Sequence, residues 1–448
     1  MKVSAMDSGI DATNLGATPR PENGRTASRL QTFVGVGAGN AMEWFDWNIY
    51  ATFAAFFAPQ FFHSGDAVSD MLKTLAIFAV GFVARPFGGM LFGWLADRKG
   101  RQLSMTLAVG LAAAGSLVIG LTPTYGSIGA WAALVLLVCR LLQGLAHGGE
   151  LPSAQTYVTE VAPRERRGLW SSLIYFSGTL GVVVGTVLAA ILSTTLSSAQ
   201  MHDFGWRVPF LLGGVFGLFS LYMRSRMPET ETFTKAAEAA EAQPVRESMW
   251  RKIWERPGLL LRVVGLTIGG TVVYYVWAVS APAYAISVRG VPATQALWAG
   301  VGASLVFLVA LPLWGMLSDR IGRRPVLMFG AVMLMVLLFP LGSIVRGEAW
   351  QLFVAMTIAM VLIGCISSIA PAVYAEMFPT GIRAAGLGVP YSFAVALFGG
   401  TAPYLQTFLA DRGLPNAFNW YAIALMGVTL LTVVFMPETR ARDLSSEV

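Results

Sequence analysis

A handful of ionisable side chains stand inside long apolar stretches of this chain. Glu43 and Asp46 fall three residues apart in the stretch 33–61, Arg85 lies in 71–95, and Arg140 and His147 lie in 130–157. An ionisable group at the centre of a bilayer costs roughly 2.5–3.5 kcal/mol even on lenient scales, so such groups mark paths for protons, ions or charged solutes. A carboxylate facing a buried guanidinium stays ionised; once the guanidinium is drawn away, desolvation favours the protonated form. Glu43, Asp46 and Arg140 therefore read as a proton relay, with Asp46 ahead of Glu43 because it lies deeper. The alternative is a static ion pair that fixes helix packing. His147 is a further candidate for proton transfer, against a neutral, hydrogen-bonded imidazole in a Gly-rich packing face.

Arg85 offers a planar fork of donors that matches a carboxylate, so it reads as an anchor for an anionic group. The alternative is a standing pair with Glu43 or Asp46. Asn40 and Tyr50 share the helical stripe of the two carboxylates, and Gln143 follows Arg140 by one turn. With Tyr175, Tyr274, Trp277 and Tyr391 at comparable depths, these make up the candidate substrate contacts.

The elements that must position these groups are helices in a membrane. Only 12% of the 448 residues are charged and 55% are hydrophobic, whereas soluble domains carry about a quarter charged. Apolar runs near 33–61, 71–95, 103–121, 130–157, 169–192, 206–224, 259–287, 295–317, 326–345, 350–374, 385–409 and 417–436 each approach the ~20 residues that span a bilayer. The expected fold is an all-α polytopic membrane protein of twelve transmembrane helices. Polar segments divide it into a disordered tail over 1–29, a bundle over 30–224, a linker over 225–258, a bundle over 259–436 and a tail over 437–448. The linker's Lys235–Glu241 segment reads as a surface helix.

Lys73, Arg207, Arg289, Arg346 and Arg412 fall on one side of this topology, and Arg85 and Arg140 fall within it. The remaining basic residues gather in the tails and even-numbered loops. That bias predicts both termini in the cytoplasm of a cell bearing the chain in its plasma (inner) membrane. It also accounts for the net charge of +6 without a nucleic-acid partner. No nucleophile–base set, nucleotide loop or metal-ligand cluster is present, so neither an enzyme nor a bound cofactor or metal is expected. Cys139 and Cys365 read as small core residues.

One phrase occurs twice. Gly93-Trp94-Leu95-Ala96-Asp97-Arg98-Lys99-Gly100-Arg101 follows the second run, and Gly315-Met316-Leu317-Ser318-Asp319-Arg320-Ile321-Gly322-Arg323 follows the eighth. Met227-Pro228-Glu229-Thr230 returns as Met436-Pro437-Glu438-Thr439, and Glu160-Val161-Ala162-Pro163 is echoed by Glu376-Met377-Phe378-Pro379. Related halves of six helices each are the signature of a secondary transporter. In the repeated turn, Asp97 and Asp319 end helices and can meet the N-terminal dipole of a neighbouring helix in one conformation. Arg101 and Arg323 can clamp those carboxylates, Arg98 and Arg320 add inside charge, and Gly100 and Gly322 permit the reversal. These residues read as conformational latches.

The duplicated Gly-x-x-x-Asp-Arg-x-Gly-Arg turn and the six-plus-six plan resemble the major facilitator superfamily. Further phrases resemble its metabolite:H+ symporter family. They are Gly39-Asn40-x-x-Glu43-Trp44-Phe45-Asp46, Arg85-Pro86-x-Gly88-Gly89, Arg140-Leu141-x-Gln143-Gly144-x-x-x-Gly148-Gly149-Glu150 and Gly205-Trp206-Arg207-x-Pro209-Phe210. That family includes α-ketoglutarate, citrate, shikimate and proline/betaine permeases. The resemblance implies a monomer that takes up a small carboxylate-bearing metabolite with protons by alternating access, and it associates residues matching Arg140 and Gln143 with proton coupling. Uptake of a zwitterion such as proline or betaine is the second reading, set back because no heptads follow the last run. Efflux comes third, since helix 5 lacks the Gly-Pro of related drug exporters.

Overall fold

A computed structural model describes residues 22–99, 101–148, 155, 158–159, 162–225, 257–378 and 383–442. The described residues form twelve long helices. In the first half they are α1 (Glu22–Phe61), α2 (Ala67–Lys99), α3 (Arg101–Leu121), α4 (Trp131–His147), α5 (Arg167–Thr195) and α6 (Arg207–Ser225). The second half holds α7 (Pro257–Arg289), α8 (Ala293–Ile321), α9 (Arg323–Ile344) and α10 (Ala349–Met377). It is completed by α11, in the pieces Arg383–Ala394, Val395–Gly399 and Ala402–Asp411, and α12 (Pro415–Phe435). Eight of the helices are long and apolar enough, as described, to cross a membrane, and Thr106–Leu121 and Trp131–His147 form shorter apolar helices.

One boundary differs from the sequence reading. The tail expected to be disordered over 1–29 is helical from Glu22, because extending an existing helix adds one hydrogen bond for each residue fixed and needs no new nucleus. The tail expected over 437–448 folds back on the bundle through Thr439, which is buried. The linker lies almost entirely outside the described residues, the segment 235–241 included.

Packing follows the apolar pattern. Trp47, Phe53, Phe57, Phe61, Phe78, Trp206 and Phe210 are fully buried between helices of the first half. Outward faces carry residues such as Val184, Phe219, Leu261, Val309, Val336 and Phe435, all exposed, as a lipid-facing surface requires. Within the first half α1 runs along α5, α2 along α4 and α3 along α6; the halves meet along α5–α8 and, more lightly, α2–α11. Cys139 and Cys365 are separate, buried and unbridged.

Within its span α7 contains a π-helical turn, Tyr275–Ser280. Ser280 donates its hydroxyl proton to the Tyr275 carbonyl at 3.0 Å. Such turns disturb regular helical register and recur at functional sites. This one turns Tyr274 and Tyr275 toward the seam between the halves.

Candidate functional site

The two carboxylates of α1 take different arginines. Asp46 lies 3.7 Å from Arg140, accepts a hydrogen bond from the Gln143 amide at 2.9 Å, and accepts another from the Ser116 hydroxyl. Glu43 lies 3.5 Å from Arg85. Residues three apart on an α-helix point about 60° apart, which aims Asp46 at α3 and α4 but Glu43 at α2. Close approach of α2 and α4 brings both arginines against the same helix. A Cβ on Gly144 would strike the backbone carbonyl of Gly81, so only glycine allows that crossing.

Trp47 is the shared wall. The Arg85 guanidinium sits 4.2 Å from its ring and 4.3 Å from Phe82. Arg140 sits 5.2 Å from Trp47 and 3.8 Å from Tyr50. Arg140 is 0% exposed, and none of its guanidinium nitrogens makes a hydrogen bond among the described residues. A buried charge held by one carboxylate at ion-pair distance and two rings is under-satisfied.

The expected substrate contacts separate into groups. Tyr175, Tyr274 and Tyr391 come together around a central cavity of about 30 Å3, with Trp44, Tyr275 and Tyr374. Thr267, Thr271 and Ser367 add hydroxyls, and none of the described lining residues is charged. The halves touch across it: Tyr175 and Tyr391 hydroxyls lie 3.4 Å apart, Trp44 packs edge-on to Tyr274 at 5.3 Å, and Phe82 meets Tyr275 at 5.0 Å. Since a water needs roughly 10–15 Å3 of such space, this void has room for water but is too small for a metabolite. The halves are drawn together around it.

The other expected contacts lie away from this cavity. Tyr50 donates its hydroxyl proton to the Thr74 carbonyl at 3.0 Å and turns its ring face to Arg140. Asn40 donates to the Ile174 carbonyl at 2.7 Å and to Ser177 at 2.9 Å, tying α1 to α5. Gln143 serves Asp46 and the Ser116 oxygen, 2.8 Å away. Trp277 faces a different cavity in the second half. A shared helical stripe set their depth, but a polar atom is oriented by its nearest partner.

Glu43, Asp46 and His147 line one further cavity, of about 310 Å3, between α1, α3, α4 and α6. Small residues, among them Ala112, Ala113, Gly213 and Gly217, leave this space. Nε2 of His147 has no hydrogen-bond partner among the described residues.

At the end bearing the repeated turns, the halves are pinned by charge. Asp319 accepts backbone N–H groups of Gly168 at 2.8 Å and Leu169 at 2.9 Å, at the start of α5. Arg323 clamps Asp319 at 2.8 Å and reaches Glu376 at 3.2 Å. Glu376 also lies 3.9 Å from Arg167 of the first half and accepts the Thr439 hydroxyl at 2.8 Å. Gly322 makes the reversal at φ +107. Arg320 takes no part in these contacts. The side chains of Asp97, Arg98 and Arg101, and all of Gly100, lie outside what the structure describes.

Trp47, Ser116, Glu376 and Glu438 escaped the sequence-based site. The recurring phrases around Glu376 and Glu438 were the available signal. Glu438 accepts the backbone N–H groups of Arg323 at 2.9 Å and Arg324 at 3.0 Å, capping α9. Partial burial pushes its carboxyl up, but the backbone N–H groups of Arg323, Arg440, Arg324 and Thr439 outweigh this and hold it below the usual glutamate range.

Twelve long helices among the described residues, in two related halves, with buried ion pairs beside a void on the seam, define a secondary transporter of the major facilitator fold and not an enzyme. The chain belongs to the sugar (and other) transporter family, whose profile matches residues 32–249 and again 235–446. It is 34% identical to the α-ketoglutarate permease of Escherichia coli K12, covering 94% of this chain and 96% of that one. It is 32% identical to the proline/betaine transporter of the same strain, over 91% and 83%. The ectoine/proline transporter of Corynebacterium glutamicum is 31% identical over 92% and 84%. Its fold matches a proton:xylose symporter with TM-score 0.69 at 18% identity, covering 94% and 98%.

Proposed function

We propose that this protein takes up a small carboxylate-bearing metabolite together with protons, by alternating access. The observation that carries this reading is the buried set Glu43, Asp46, Arg85 and Arg140, two carboxylates matched to two guanidiniums. A lone anion entering this set would leave an uncompensated charge in a medium that penalises it. An anion arriving with a proton adds none. The substrate carboxylate competes with Glu43 for the fork of Arg85, while Asp46 takes the proton when Arg140 loosens its hold. His147 lies on the cavity that reaches both carboxylates and hands protons along it.

The working units are the bundles 30–224 and 259–436, joined by the linker 225–258, rocking about the aromatic seam in a single chain. Both termini and the repeated turns face the cytoplasm of a plasma (inner) membrane. The Asp319 turn, with its counterpart over Asp97, Arg98, Gly100 and Arg101, latches the cytoplasmic side shut. Similarity to an α-ketoglutarate permease over nearly the whole chain supports the carboxylate class.

One observation favours a second reading. The central lining of Trp44, Tyr175, Tyr274, Tyr275, Tyr374 and Tyr391 is aromatic and uncharged, a surface that attracts quaternary ammonium groups. A zwitterion such as betaine would set its carboxylate toward Arg85 and its cation among those rings.

Uptake into proteoliposomes under an imposed pH gradient tests both. Labelled α-ketoglutarate should accumulate against its gradient and be displaced by other carboxylates but not by betaine. Displacement by betaine and proline alone would transfer the assignment to the zwitterion, and accumulation indifferent to the pH gradient would remove proton coupling.

A further inference from the structure

A larger cavity, of about 700 Å3, lies inside the second half at the end opposite the repeated turns. Helices α7, α9, α10, α11 and α12 and the α9–α10 loop wall it. Its polar groups include Arg289, Arg346, Gln406, Asn416 and Asn419, and no Asp or Glu is among the described residues that line it. Nε of Arg289 and Oε1 of Gln406 are buried without a hydrogen-bond partner among the described residues. Arg346 donates from Nε to the Ser343 carbonyl at 3.0 Å, which leaves its terminal nitrogens for another acceptor. Neither arginine pairs with a carboxylate among the described residues. Trp277, Leu338, Phe339 and Phe418 supply apolar wall.

The volume falls within the ~300–1,000 Å3 of small-molecule sites. Two cations without counter-charge favour an anion, and the fork geometry favours a carboxylate. The apolar wall favours a ligand with a hydrophobic body. We infer that this cavity is a second binding site, separate from the central one, for a small organic carboxylate with an apolar body.

The two sites share a wall. Val276 and Trp277 line the outer cavity while Tyr274 and Tyr275 line the central one, all within or beside one π-helical turn. A ligand bearing on Trp277 therefore bears on the segment that closes the central seam. Occupancy of the outer site should alter how readily the seam opens.

The test is direct binding of 4-fluorobenzoate to the full chain in detergent, followed by fluorine NMR. It does not depend on what the protein transports. Saturable binding is expected, weakened about tenfold by Arg289→Gln with Arg346→Gln and retained in Arg85→Gln. Should the double variant fail to fold, Ser343→Trp, at an exposed lining position, should obstruct the cavity and abolish binding with both charges intact. Unchanged affinity in the double variant or in Ser343→Trp overturns the proposal. So does loss of binding in Arg85→Gln alone, which would put the probe in the centre. Binding of phosphatidylglycerol at Arg289 and Arg346, with no binding of the free carboxylate, would give the cavity to a lipid headgroup and also overturn it.

Discussion

The backbone N–H of Gly168 lies 2.8 Å from a carboxylate oxygen of Asp319, and these residues belong to different halves of the chain. The second half thus supplies the N-terminal cap of a first-half helix. A cap carries charge to the positive end of a helix dipole, so the contact stabilises the closed seam without touching the central cavity. Arg323, Glu376 and Arg167 extend it into a chain of alternating charges that crosses the interface twice.

Asp319→Asn should shift the equilibrium toward the form open at this end. One amide oxygen replaces two charge-assisted acceptors, a loss of about 1.5 kcal/mol or more, or more than tenfold in population. Cysteine labelling from the side that bears the Asp319 turn, at a central position such as Tyr175→Cys, would report it. Unchanged labelling would reduce Asp319 to a topological charge.

Gly315→Val should open the same end by steric means. A Cβ at Gly315 would sit 2.6 Å from the Gly168 carbonyl oxygen, and backbone cannot yield as a flexible side chain can. The same labelling assay should show at least as large an increase as Asp319→Asn, with both carboxylate and clamp in place.

Asp46→Asn should abolish uphill, pH-driven accumulation while sparing downhill exchange. The asparagine still accepts the Ser116 hydroxyl but loses the oxygen that accepts from the Gln143 amide, and it holds no proton to deliver. Accumulation persisting in this variant would move the coupling role to Glu43.

Arg85→Lys should weaken carboxylate binding by about tenfold although the charge is retained, because an ammonium lacks the two-pronged fork and the flat face that stacks on Trp47. Calorimetry with α-ketoglutarate on purified protein measures this. Equal affinity would leave Arg85 as the standing partner of Glu43.

Glu438→Gln should destabilise the protein in a pH-dependent manner. The folded carboxyl is held below its ordinary value, so its stabilisation is complete above the unfolded value near 4.3 and disappears as pH falls through the folded one. Thermal unfolding in detergent should show wild type above Glu438→Gln by no more than about 1 kcal/mol at neutral pH, with the two converging in acid. A gap that widened in acid would contradict the sign.

Much of this protein was legible in its residues alone. Apolar runs of bilayer length leave the backbone no choice but helix, because no water is available to satisfy its polar groups. Recurrence of the turn at Asp97 and Asp319 exposed two halves, and charges at 43, 46, 85 and 140 were conspicuous because burial makes them costly. Their pairing was not legible. Asp46 to Arg140 and Glu43 to Arg85 depends on a 60° difference in aim and on how closely α2 approaches α4. The diversion of Tyr50, Asn40, Gln143 and Trp277 from the central cavity likewise depends on which partner lies nearest in space. Glu376 and Glu438 matter because folding carries them to Arg323 from distant parts of the chain. Sequence period sets which helix face a residue occupies, whereas a hydrogen bond or ion pair is decided over a few ångströms, a distance that only the packed helices define.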